Sequence, residues 1–231
     1  MSSGLASLVL ATVSFVGTHL LMSHPLRPAL VRGLGERAFL GVYSLVSFVT
    51  LGWMVWAART MEPNLLAVPA FSIWPIAAAV MLMASVLLVG SLLGNPALPD
   101  PTGAPRMPDR ARGVFAITRH PMMWSFILWA LVHVLVWPSD RSLVIGFGIG
   151  FLAFVGAHGQ DVKKLRLIGE PWRAWCAKTS FWPFAALVTG RAAWRDAFPG
   201  WIALIGGVAL WLLATWLHPL LGGPWLPPWA G

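Results

Sequence analysis

Residues 38–58 read AFLGVYSLVSFVTLGWMVWAA and are closed on either side by Arg37 and Arg59. No charged side chain interrupts the run. A helix needs roughly 17–25 apolar residues to cross a bilayer core, and this stretch supplies them. Apolar and polar residues do not alternate along it, which excludes a strand of a membrane barrel. In lipid every backbone N–H and C=O must be paired within the segment, and only a helix does that here.

The same pattern recurs on both sides of it. Residues 1–26, 63–99, 120–139, 142–160 and 197–231 also lack Asp, Glu, Lys and Arg. Six spans are predicted, at about 5–22, 37–58, 71–93, 121–137, 142–158 and 200–220. The fold class is therefore all-α: a polytopic membrane helix bundle with about six transmembrane helices and a cytoplasmic amphipathic segment. Composition agrees. Of 231 residues, 58% are hydrophobic and 10% are charged, whereas a soluble domain carries about 25% charge. That excludes an ordinary cytosolic enzyme, a disordered chain and a collagen. At this length a single domain, residues 1–231, is expected. The one cysteine, Cys176, excludes an intrachain disulfide and a cysteine-based metal cluster.

Loop charge sets the expected orientation. Of the 16 basic residues, 14 fall in the loops after spans 1, 3 and 5, and the other two are Arg59 and Arg141. The odd loops are then cytoplasmic and both termini lie on the far side. The net charge of +8 could suit nucleic acid. In a chain this apolar it belongs to cytoplasmic loops, so no nucleic-acid partner is expected. The expected partner is the lipid bilayer, with oligomeric state left open. Span 1 lacks a basic leading region and runs directly to Arg27, so it reads as a retained first span and not as a cleaved signal. Trp53, Trp56, Trp137, Trp201, Trp225 and Trp229 sit near span ends, where amphipathic rings favour the headgroup region.

Three segments differ from simple spans. Residues 94–112 carry Pro96, Pro99, Pro101, Pro105 and Pro108 and read as an irregular cytoplasmic loop. Residues 160–178 read as an interfacial helix. Val162, Leu165, Ile168, Trp172 and Trp175 recur along one side, basic residues surround the other, and Gly169 and Pro171 break or kink it. The Pro/Trp-rich tail reads as lying in the outer interface.

Within span 5, Gly146-Phe147-Gly148-Ile149-Gly150 is no phosphate loop, because no strand precedes it. Gly146, Gly150, Ala153 and Ala157 form a small-residue stripe that lets helices approach closely.

The candidate chemistry lies in the histidines, because ionisable side chains inside a membrane are costly. They are His19, His24, His120, His133, His158 and His218. No zinc-protease signature is present. A haem needs only one or two axial imidazoles and an apolar slot, which a helix bundle supplies. His19 and His133 are the most deeply embedded in apolar sequence. Thr118-Arg119-His120-Pro121 opens span 4. Thr118 or a neighbour suits a cap and Pro121 a first turn. The Arg119–His120 pair could hold a carboxylate, a propionate or a nucleotide-like group. His120 and His133 point about 220° apart on a helix, so they do not share a face. His19 lies roughly 5 Å from the cytoplasmic side and His133 roughly 18 Å. On depth alone His19, His120 and His158 cluster.

These pieces, in order, resemble the NnrU family of bacterial membrane proteins. The matching residues are Gly17-Thr18-His19, Leu34-Gly35-Glu36-Arg37, Tyr43-Ser44-Leu45-Val46-Ser47, Ile117-Thr118-Arg119-His120-Pro121, Leu131-Val132-His133 and Leu167-Ile168-Gly169-Glu170 leading into Trp172. They run from about residue 10 to about residue 220. The family is similar to the plant zeta-carotene isomerases. The resemblance implies an integral membrane protein of the bacterial inner membrane holding haem b between two histidines. It implies isomerisation of a cis double bond in a lipophilic polyene, or a redox role linked to nitrogen-oxide metabolism and denitrification. Carried over by motif, the iron ligands are His19 and His133, and Arg119 with His120 would contact propionates or tune the pocket.

A second likeness is to membrane methyltransferases that bind S-adenosylmethionine through an Arg-His-Pro segment and a later acidic pair. Here the segment is Arg119-His120-Pro121, and the pair would be Gln160-Asp161. A third reading is a non-enzymatic assembly or regulatory protein.

Overall fold

The computed structural model describes residues 2–98 and 107–221. Ten α-helices form among the described residues: α1 (Ser3–Ser23), α2 (Arg27–Leu34), α3 (Glu36–Thr60), α4 (Trp74–Ser91), α5 (Val114–Ile117), α6 (Pro121–Val136), α7 (Asp140–Ile168), α8 (Glu170–Lys178), α9 (Ala185–Val188) and α10 (Trp201–Leu217). The only β pairing described is an isolated bridge between Leu65 and Ser139.

All six predicted spans are helices. Five are long and apolar enough to cross a membrane: α1, α3, α7, and α4 and α10 with the short 3₁₀ turns that extend them to Phe71–Ser91 and Trp201–Leu220. The sixth, α6, has 16 residues. At 1.5 Å per residue that is about 24 Å, which a bilayer meets by thinning locally. The chain is a multi-pass helical membrane protein.

One boundary differs from the sequence expectation. The fifth span does not stop near residue 158 before a separate interfacial helix. It continues as one 29-residue helix to Ile168. Hydropathy falls after His158, but nothing there breaks the backbone. The break comes at Gly169, whose φ of 72° lies in the left-handed region, where glycine is at ease. Beyond it, α8 is the amphipathic segment, with Arg173 and Lys178 exposed. Its apolar side faces protein: Trp172 and Trp175 are buried core residues. Trp53, Trp56, Trp137 and Trp201 are all exposed, as rings at a lipid boundary are. Trp225, Trp229, the rest of the tail and residues 99–106 of the proline-rich loop lie outside the described residues.

The chain divides into two compact units, Met1–Ile73 with Ala130–Gly156, and Trp74–Trp129 with Ala157–Gly231. In the first, α1 and α3 run antiparallel. Gly4 meets Met61 near one end, and His19 meets Ser47 near the other. Leu8, Ala11, Phe15, Met54, Ala57 and Met61 form the core, and Val144, Ile145, Ile149 and Leu152 of α7 pack on it. The glycines of α7 make this approach possible. A Cβ on Gly146 would stand 2.6 Å from Val134 Cγ2, and one on Gly148 only 2.3 Å from Thr12 Cγ2. A latch closes one end. Asp140 accepts from the Asn64 backbone N–H at 3.0 Å and from Asn64 Nδ2 at 3.1 Å, while Arg141 donates to Ala58 O.

In the second unit, α4 pairs with α10, and a core of Leu87, Val114, Phe115, Ala116, Trp172, Trp175 and Leu187 lies beyond them. A Cβ on Gly207 would stand 2.7 Å from Val86 Cα and 2.8 Å from Val86 N. Backbone cannot yield there as a side-chain tip could. Gly207→Val is expected to force α4 from α10 and to cost about 1–3 kcal/mol or more. The readout is a lower unfolding midpoint in detergent. A variant as stable as the parent would mean that the two helices do not touch at this point.

Candidate functional site

His19 and His133 both fall in the first unit. His19 projects from α1 toward α3, between the rings of Phe15 and Tyr43, whose centroids lie 4.9 and 5.0 Å away. Its Nδ1 stands 3.3 Å from Ser47 Oγ. That hydroxyl already donates to Tyr43 O at 2.7 Å. A serine has one hydrogen to give, so its oxygen is the acceptor toward His19. Nδ1 therefore carries the imidazole proton, and Nε2 carries the lone pair. This is the tautomer that a metal ligand needs, with the other ring nitrogen held by a hydrogen-bond partner. On the donor chemistry, His19 fits an axial ligand.

His133 is half-buried in the last turn of α6. Ala70 donates to Val136 O and Leu66 to Pro138 O, so this end of α6 lies beside the segment that follows α3. It is the end at which α1 and α7 begin. His19 lies seven residues beyond Thr12, which is level with Gly148. That sets His19 at about residue 155 of α7. Gly146 meets α6 between Ala130 and Val134, which sets His133 at about residue 145. The axial offset is roughly ten residues, or about 15 Å. The depth difference seen in the sequence persists in the fold. Because Cβ bonds tilt toward a helix N-terminus and α6 runs opposite to α1, the two imidazoles lean toward each other's level.

Arg119 and His120 lie in the second unit and meet the same carboxylate. Thr118 is fully buried. Its hydroxyl donates to Phe181 O at 2.8 Å and accepts from the His120 N–H at 3.3 Å, which ties the approach to α6 to the loop that carries Phe181. Arg119 N–H donates to Ser180 O. The side chains then turn to α7. Arg119 Nε and Nη2 donate to Asp161 at 2.9 and 2.5 Å, and His120 Nε2 lies 3.0 Å from Asp161 Oδ1. The Phe181 ring backs the cluster, with its centroid 5.5 Å from the ring of His120, 4.4 Å from that of His158 and 5.7 Å from the Arg119 guanidinium. The His120 side chain has no exposed surface and that of Asp161 is 20% exposed. His120 Nδ1 is buried without a hydrogen-bond partner.

The sequence offers Arg119 as a receptor for a carboxylate. The structure places the protein's own carboxylate, Asp161, on it. One arm of the guanidinium fork, Nη1, is left over. A cleft of about 220 Å³ opens beside the pair, with Val162, Leu165, Trp172, Arg173 and Cys176 in its wall. Burial pushes the Cys176 thiol up from its ordinary value, with the Arg119 guanidinium opposing and Asp161 adding to the rise. The thiol is therefore neutral at pH 7 and a poor nucleophile. Iodoacetamide is expected to modify Cys176 more slowly than a free thiol at pH 7, with the rate climbing only above the ordinary thiol range. Fast labelling at pH 7 would contradict that environment.

Two partners were not legible from spacing alone. Ser47 is 28 residues from His19, and Asp161 is 41 from His120. Each does carry a signal. Asp161 is the one acidic residue between Asp140 and Glu170, and Ser47 is a polar side chain inside an apolar span. Among the described residues no group of three or more His, Cys, Asp or Glu side chains is gathered as a metal site.

The chain is 31% identical over 114 residues to the chloroplastic 15-cis-zeta-carotene isomerase of Zea mays, covering 47% of this chain and 31% of that protein. It is 32% identical over 124 residues to the chloroplastic 15-cis-zeta-carotene isomerase of Arabidopsis thaliana, covering 52% of this chain and 33% of that one. The match thus spans about a third of the length of these curated relatives. No solved structure matches the chain. The family model for NnrU protein matches residues 7–226, nearly the whole chain, and the chain belongs to that family.

Proposed function

We propose that this protein is a membrane-embedded isomerase of a cis double bond in a carotenoid-type polyene, and that it holds haem b. The observation that carries the reading is the likeness to two 15-cis-zeta-carotene isomerases over about half the chain. The apolar helices suit a substrate delivered from the bilayer. The donor chemistry of His19 supports the cofactor: a half-buried imidazole, held through Nδ1 by Ser47 and flanked by Phe15 and Tyr43. His133 lies in the same unit, but its offset of about 15 Å from His19 along the helices is more than two imidazoles on one iron span, so His19 alone is proposed as a ligand. When bound, haem b supplies a redox-active iron. The chain's own part is to fix the His19 tautomer, to keep water from the spans and to hold a hydrocarbon substrate among them.

The test is conversion of 15-cis-zeta-carotene by the purified protein in liposomes, followed by chromatography of the isomers under oxidising and reducing conditions. The reading predicts loss of the 15-cis isomer at a rate well above protein-free liposomes, and no such excess for His19→Ala. Equal rates with and without protein under both conditions would remove the isomerase.

A further inference from the structure

We propose that the second unit carries a headgroup site for an anionic phospholipid, formed by Arg110, Lys178, Arg191 and Arg195. These four cations line one cleft of about 360 Å³, together with Asp109 and Asp196. Four positive and two negative charges leave a surplus of two. Among the described residues none of the four cations is in an ion pair. All four are exposed.

The cleft is built and not merely crowded. Lys178 Nζ donates to Asp109 O at 3.0 Å, which ties α8 to the loop before α5. Arg191 Nη1 donates to Thr179 O at 2.9 Å and its Nε to Thr189 Oγ1 at 3.1 Å, which fixes its side chain against the wall. Gly113 N–H donates to Asp196 O at 2.8 Å and joins the two loops. Arg110 and Arg195, both in the cleft lining, are left as fork-shaped donors, the shape that grips a phosphate.

Two features point to a lipid phosphate. Arg195 lies six residues before Trp201, where the spanning helix α10 begins. At that level α10 meets the end of α4, with Ala203 against Gly90. The cleft therefore stands at the edge of the bilayer. Trp194, Phe198 and Trp201 beside it are all more than half exposed, the aromatic rim of a headgroup region. Basic side chains at that depth attract anionic lipids, each with about a fivefold gain in affinity. The inference is independent of any isomerase activity.

The test uses the full chain in a neutral detergent. Its unfolding midpoint is followed while dioleoyl-phosphatidylglycerol, dioleoyl-phosphatidylcholine or inorganic phosphate is titrated in. Phosphatidylglycerol is expected to raise the midpoint saturably and phosphatidylcholine to leave it unchanged. In an Arg110→Gln/Arg195→Gln double variant the lipid-free midpoint should stay put, because both side chains are exposed and unpaired. Its half-saturation should weaken by roughly thirtyfold, the loss expected for two charges. An Arg32→Gln/Arg37→Gln control removes the same charge from the first unit and should keep the parental response. The proposal fails if phosphatidylcholine matches phosphatidylglycerol. It fails also if the control loses the response as fully as the cleft variant, since the effect would then be diffuse surface charge. Inorganic phosphate acting at the same concentration as the lipid would overturn the lipid assignment in favour of a soluble phosphate.

Discussion

Replacing Asp161 with Ala is expected to destabilise the protein by about 3–5 kcal/mol. The side chains of Arg119 and His120 are 14% and 0% exposed, and both turn to this carboxylate. Without it a guanidinium is left in a protein interior with no counter-charge, and the His120 ring loses its Nε2 partner. The His120 ring has no exposed surface, and Thr118 holds the backbone N–H beside it. Arg119→Met should cost less, because it removes the charge together with the group that needed it, and His120 remains on Asp161. Combining the two changes should cost less than their sum, because the cost of Asp161→Ala lies mainly in the stranded charge. Thermal unfolding in detergent, with the monodisperse fraction read by size exclusion, checks the series. An Asp161→Ala protein as stable as the parent would mean that this cluster does not form.

Replacing His19 with Ala is expected to strip the protein of haem. The imidazole offers Nε2 because Ser47 holds Nδ1, so Ser47→Ala should weaken haem retention by about 10–100-fold without removing the ligand itself. His133→Ala is expected to leave haem content and spectrum unchanged, because His133 stands too far along the helices from His19 to share its iron. The offset of about 15 Å along the helices makes these two substitutions a comparison worth running side by side. Haem content per protein, from the pyridine haemochrome, separates them. Unchanged content in His19→Ala would contradict the ligand.

The spans were legible because lipid leaves a helix no other way to satisfy its backbone, and 38–58 says so without help. The end of α7 was not. Hydropathy drops after His158, but a helix ends where the backbone turns, and that is Gly169. The small-residue stripe was legible in part. Gly146 and Gly150 do sit against α6, with Ala130 beside both. Gly148 points about 200° away from Gly146, and its need for glycine appears only when Thr12 of α1 is in place. Trp172 and Trp175 look amphipathic in sequence and would suit lipid equally well. Only the packing of α5 and α9 around them shows that they are core.

The site was legible as residue types and not as pairs. Arg119 and His120 are adjacent, and their position before Pro121 marks them. That both turn to Asp161 depends on where α7 lies beside the start of α6, which no spacing encodes. The Ser47 contact likewise depends on the antiparallel register of α1 and α3.

The most direct measurement is the visible absorption spectrum of the detergent-purified protein, oxidised and then reduced with dithionite. A haem b held by His19 predicts a strong Soret band that shifts on reduction, with α and β bands in the reduced spectrum. A colourless protein that stays colourless after haem is added would contradict it.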